Sequence, residues 1–143
     1  ILCARGSYST GSATACTPCP AGSACPVTNA ATVNACAAGT YSISGSAECT
    51  PCPRGMRCPS KTAAPNPSTD LCAPGTYSLG SATSCTSCPA GYACPDPTSD
   101  SRILCPLGTF VTSGTFCAQC PAGHYCPNTS TKTACPVGKY STG

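Results

Sequence analysis

The stretch 85–95, CTSCPAGYACP, sets three cysteines and two prolines in eleven residues. Nearly the same string stands at 16–26 (CTPCPAGSACP), 49–59 (CTPCPRGMRCP) and 117–127 (CAQCPAGHYCP). A Cys-x-x-Cys pair written four times with one tail admits three chemistries: a metal knuckle, a redox pair, or one arm of a disulfide scaffold.

The rest of the chain repeats in the same register, and a repeat read early decides the architecture. With the cysteines of one repeat labelled a, b, c and d, repeat one is Cys3, Cys16, Cys19 and Cys25. Repeat two is Cys36, Cys49, Cys52 and Cys58; repeat three is Cys72, Cys85, Cys88 and Cys94. Repeat four is Cys105, Cys117, Cys120 and Cys126, and Cys135 opens a fifth. The domains are therefore 3–35, 36–71, 72–104 and 105–134, with 135–143 beginning another. Glycine follows each a by three residues (Gly6, Gly39, Gly75, Gly108, Gly138), and an aromatic follows by five (Tyr8, Tyr41, Tyr77, Phe110, Tyr140). Proline follows every c and every d. Glycine permits a tight turn, and proline fixes φ and removes a ladder donor. A stretch such as GTYSLGSATSC (75–85) reads as a short hairpin bent at glycine. The aromatic of each repeat is expected to lie over a disulfide and the next module.

Seventeen cysteines in 143 residues, about 12%, exceed the ~8–10% that marks a disulfide scaffold. With two Phe, no Trp and one Met, the chain cannot build a sizeable apolar core. The expected fold is small and disulfide-rich: an elongated tandem array of short hairpin modules with little regular secondary structure. Scattering should then give a radius of gyration well above the about 14–15 Å of a compact chain this long.

Successive knuckles are separated by 29, 32 and 28 residues, wider than the usual pairing of zinc knuckles, and the single histidine, His124, belongs to one repeat only. A thioredoxin-like pair needs a helix start in an α/β pattern, which no segment offers. The disulfide reading is favoured, and no catalytic, cofactor-binding or metal-ligating residue is assigned. Seven scattered basic residues form no run for a phosphate backbone, so no nucleic acid is expected. No apolar run suits a membrane span. The cysteine load points to an oxidising compartment, extracellular or at a cell surface. With neither an initiating Met nor a signal peptide, the chain reads as a window of a longer repetitive protein.

Four cysteines allow three pairings. The a–b gap is 12, 12, 12 and 11 residues and the c–d gap always 5, whereas d to the next a varies as 10, 13, 10 and 8. Fixed lengths suggest closed loops, favouring a–b with c–d. A crossed a–c, b–d pairing and a b–d pairing with c bonded to the next a are the rivals. Cys135 is expected to pair outside the window.

The pattern CxxGTYS…GS…CxxCPAGxxCP is clearest at Cys72, Gly75, Tyr77, Ser78, Gly80, Ser81, Cys85, Cys88, Pro89, Gly91 and Cys94. It resembles the ephrin-receptor-like cysteine-rich repeat of the GCC2/GCC3 type and, more loosely, tumour-necrosis-factor-receptor modules. The resemblance spans essentially the whole chain and implies an extracellular stalk or spacer. The cysteine at d departs from the simplest form of that family.

Ser and Thr number 38. Asn128-Thr129-Ser130 is an N-glycosylation sequon, so Asn128 should face solvent. Thr62, Ser68, Thr69, Thr98 and Ser99, near prolines, are candidates for O-linked sugars. The variable positions are mostly small and alike between repeats. That favours a non-enzymatic structural protein (a spacer, surface coat or fibril backbone) whose partners are copies of itself, neighbouring repeats and glycans. The alternative is a ligand-binding or adhesive receptor ectodomain.

Overall fold

The computed structural model describes residues 2–28 and 31–142. Asn29 and Ala30, in the connector of repeat one, and Gly143, at the end of the fifth, lie outside the described residues. The described residues contain no helix; they form seven two-stranded antiparallel sheets. Four join a to b within a repeat: β1 (Ser7–Tyr8) with β2 (Thr17–Pro18), β5 (Thr40–Tyr41) with β6 (Thr50–Pro51), β7 (Thr76–Tyr77) with β8 (Thr86–Ser87), and β11 (Thr109–Thr112) with β12 (Phe116–Gln119). Thr40 faces Pro51 and Thr76 faces Ser87, so successive hairpins share one register. Proline is tolerated in these ladders because every strand is an edge.

The other three sheets are a finding beyond the expected hairpins. The segment from d to the next a is not a plain connector; it folds back on the residues before d. β3 (Ser23–Ala24) pairs with β4 (Asn34–Ala35), β9 (Tyr92–Ala93) with β10 (Ile103–Leu104), and β13 (His124–Asn128) with β14 (Thr131–Ala134). In repeat two, whose connector is longest, this second hairpin shrinks to one bridge between Met56 and Leu71. The extra residues coil into a turn at 66–70 in which the Asp70 carboxylate accepts the Asn66 N–H at 2.8 Å.

A regular set of main-chain bonds explains the recurring glycines. The carbonyls of Gly6, Gly39, Gly75 and Gly108 accept the N–H of the c cysteine in their own repeat, at 2.8–2.9 Å. The carbonyls of Gly22, Gly91 and Gly123 do the same for the next a, at 2.9–3.1 Å. Each turn thus places the cysteine that closes the following loop.

Buried apolar residues are almost all cysteines, joined by Ala24 and Ala93. Cys19 and Cys25 are completely buried, with Tyr8 and Val33 packed against them. Larger apolar side chains such as Leu107, Val137 and Tyr140 stand in solvent. The cystines are therefore the core, as expected for modules too small to bury aliphatic surface.

The chain divides into two compact bodies. The first is Ile1–Leu71 with Leu79–Ser84; the second is Cys72–Ser78 with Cys85–Gly143.

Candidate functional site

Eight disulfides join a to b and c to d in every complete repeat. The a–b bridges are Cys3–Cys16, Cys36–Cys49, Cys72–Cys85 and Cys105–Cys117. The c–d bridges are Cys19–Cys25, Cys52–Cys58, Cys88–Cys94 and Cys120–Cys126. Cα separations run from 5.5 to 6.0 Å, inside the usual disulfide range. Neither the crossed pairing nor the pairing of c with the next a occurs. Cys135 is half-buried and unpaired among the described residues.

Beyond closing its own loop, the c–d segment of each of the first three repeats seats the hairpin tip of the next. In the first body, Gly45 donates its N–H to the Cys19 carbonyl at 2.7 Å, and Cys25 donates to the Ser46 carbonyl at 3.2 Å. One repeat on, Ser81 donates to the Cys52 carbonyl at 2.9 Å and Cys58 to the Ala82 carbonyl at 2.8 Å. In the second body, Cys94 donates to the Gly114 carbonyl at 2.8 Å. Gly6, Gly39 and Gly75 floor these seats. A Cβ at Gly6 would run into the Gly45 carbonyl, one at Gly39 into the Ser81 carbonyl, and one at Gly75 would lie 2.8 Å from Gly114 Cα.

A serine six residues after a locks the contact from its other side. Ser42, 2% exposed, donates its hydroxyl to the Ser23 carbonyl at 2.7 Å and its N–H to the Lys61 carbonyl, while its own carbonyl accepts the Gly22 N–H. Ser141 makes the matching bonds to His124 and Gly123 in the second body. These contacts are nearly all main chain, so they survive wide change of side chain.

A third recurring element sits two residues after d. The side-chain oxygens of Ser60, Asp96 and Asn128 accept the N–H of Thr62, Thr98 and Ser130 at 3.2, 2.8 and 2.9 Å. Such Asx and Ser/Thr turns bend the chain locally. Each aims the intervening carbonyl inward: those of Lys61, Pro97 and Thr129 accept the N–H of Ser42, Ser78 and Val111 at 2.9 Å. Val27 holds this place in repeat one and has no oxygen to offer.

The Thr98 hydroxyl and then its N–H hold the Asp96 carboxyl below its ordinary pKa. A carboxylate depressed on folding stabilises above its unfolded pKa and stops doing so as pH falls through the folded value. The Thr98 amide should therefore lose exchange protection at acid pH, and Asp96→Asn, which keeps an acceptor, should make that protection independent of pH. A variant as acid-sensitive as the parent would sink this assignment.

The sugar candidates are spread over three repeats. Asn128 is exposed, as are Thr62, Ser68, Thr69 and Thr98, whereas Ser99 is half-buried. The Thr98 hydroxyl is occupied with Asp96 and that of Thr62 with Ser60, leaving Ser68 and Thr69 the more open of the exposed pairs. The His124 ring lies 3.4 Å from the Ala122 carbonyl. Among the described residues no cluster of His, Cys, Asp and Glu could hold a metal ion, and no helix is long and apolar enough to cross a membrane.

No protein-family model matches this chain, and no curated protein is significantly similar to it. The chemistry of the molecule itself carries the coarse conclusion. Eight cystines serving as the core point to a secreted or extracellular protein, because such bridges form and persist mainly in oxidising compartments.

Proposed function

We propose that this chain is a segment of a non-enzymatic extracellular structural protein, a spacer, surface coat or fibril backbone, built from modules of the ephrin-receptor-like kind. One observation carries the proposal. The first four repeats are joined in succession by main-chain contacts between the c–d loop of one and the hairpin tip of the next, with no repeat specialised by a cluster of charge or anchoring aromatics. A stack in which each repeat contacts its neighbours adds stability and length together. Recognition sites usually concentrate affinity in a few buried aromatic or arginine anchors. In the second body the clefts are lined mainly by proline, glycine and cystine, for example Pro74, Gly75, Pro95 and Pro97.

The repeats then act as spacing modules, associating with copies of themselves or with neighbouring repeats. Glycans at Asn128 and at Ser or Thr near prolines would coat the outside. Electron microscopy of native material is the test. Periodic fibres or a dense surface layer are expected. Dispersed single chains with saturable, submicromolar affinity for one partner would overturn the proposal in favour of a receptor ectodomain.

A further inference from the structure

We infer that Asn128 takes an N-linked oligosaccharide only while repeat four is open, and that folding of the repeat then seals the sequon. The acceptor residue is exposed, but the three residues a transferase must grip are not free. Asn128 Oδ1 accepts from the Ser130 N–H at 2.9 Å and from the Thr131 N–H and hydroxyl, both at 3.0 Å. The Thr129 carbonyl accepts the Val111 N–H at 2.9 Å. The Thr129 hydroxyl lies so close to Gly91 that a side chain there would meet it. Thr129 and Ser130 are also the whole link between β13 and β14, and Cys126, two residues before the sequon, is bonded to Cys120. Drawing Asn128-Thr129-Ser130 out into an enzyme's groove would break these hydrogen bonds together, while the Cys120–Cys126 bridge holds the chain close by.

The chemistry demands that groove. A carboxamide nitrogen is a poor nucleophile because its lone pair is delocalised onto its oxygen, so the enzyme must hold and polarise the whole amide. In the transfer Nδ2 loses one proton to a base of the transferase and bonds to the anomeric carbon of the sugar. The donor is a polyprenyl-pyrophosphate-linked oligosaccharide, whose anomeric C–O bond breaks as the pyrophosphate leaves with the electron pair. The product keeps Oδ1 as an acceptor and one N–H on Nδ2. The turn can therefore re-form around the glycan, which leaves toward solvent. Ser60 and Asp96 hold the same turn in repeats two and three but have no amide to modify. Repeat four thus carries the one version of a structural turn that can also bear an N-linked sugar.

The inference rests on the secreted reading above only for access to the transferase, and its test does not depend on the structural role. The full chain, either reduced and alkylated or fully oxidised, is incubated with oligosaccharyltransferase and a lipid-linked oligosaccharide, and occupancy at Asn128 is read by mass spectrometry. The open chain should be modified at least tenfold more than the oxidised one, with Ser130→Ala abolishing transfer to the open chain. A third preparation, reduced without alkylation and modified in the same way, should then refold on oxidation with Cys120 bonded to Cys126. Equal occupancy of the two forms, no transfer to the open chain, transfer that survives Ser130→Ala, or failure of the modified chain to recover that bridge would each overturn it.

Discussion

Replacing Cys19 and Cys25 together by alanine should cost the first body about 4–5 kcal/mol, near the top of the range for a native disulfide in a small domain. Replacing Cys3 and Cys16 should cost less, about 3 kcal/mol. Loop-closure entropy alone predicts the opposite order. A bridge spanning 13 residues constrains the unfolded chain by about 2.9 kcal/mol and one spanning 6 by about 2.2 kcal/mol. The burial of the shorter bridge reverses that ranking. Both of its cysteines are inaccessible and are packed on by Tyr8 and Val33, whereas Cys16 is only half-buried. Its loop also supplies the carbonyl and the N–H that seat Gly45 and Ser46 of the next repeat. Denaturant unfolding of the two double variants gives the ranking. Hydrogen exchange adds the location: the Gly45 amide should lose protection in the Cys19/Cys25 variant while Ser81, seated on Cys52, keeps it. An a–b removal that costs as much or more would mean that the bridges act only through the unfolded chain.

Gly39→Ala should cost about 3–4 kcal/mol, whereas Gly45→Ala should cost only about 1–2 kcal/mol. The two glycines lie in the same repeat with nearly the same φ, +77° and +80°. Both substitutions therefore carry the same left-handed strain, about 1–2 kcal/mol for a residue with a Cβ. Their surroundings differ. The new methyl at Gly39 overlaps the Ser81 carbonyl, which is main chain and cannot rotate away, while nothing lies within 4 Å of the one at Gly45. Relief at Gly39 requires the tip to leave its seat, forfeiting the Ser81–Cys52 and Cys58–Ala82 hydrogen bonds at about 0.5–1.5 kcal/mol each. The midpoints of urea unfolding and the exchange rates of the Ser81 and Cys58 amides decide it. If the two variants lose the same stability, the close approach at Gly39 contributes nothing and only backbone strain remains.

Much of this molecule is legible in one dimension because its constraints are local and repeated. Spacing alone marks a–b loops of 11 or 12 residues and c–d loops of 5, the lengths that the bridges close. Glycine and proline density rules out helices, and the scarcity of large aliphatics leaves cystine as the only core material. The hairpin in GTYSLGSATSC follows from glycine at its bend, and β7 and β8 pair across it.

What only the tertiary structure decided is how one repeat meets the next. The connectors look like variable spacers, yet most fold back as second hairpins; strands of two to five residues are too short to leave a periodic pattern in the sequence. A glycine required for a turn and a glycine required beneath a neighbour's carbonyl are the same letter, so Gly39 and Gly45 cannot be told apart by residue type although only Gly39 lies beneath a neighbour's carbonyl. Ser60, Asp96 and Asn128 do one job with three side chains, and a shared oxygen acceptor is invisible to residue identity. The seat itself is built from the carbonyl of c and the N–H of d, groups every residue but proline possesses. Composition and spacing determine that this chain is a row of stapled hairpins; backbone hydrogen bonding, which no side chain announces, decides how the hairpins engage.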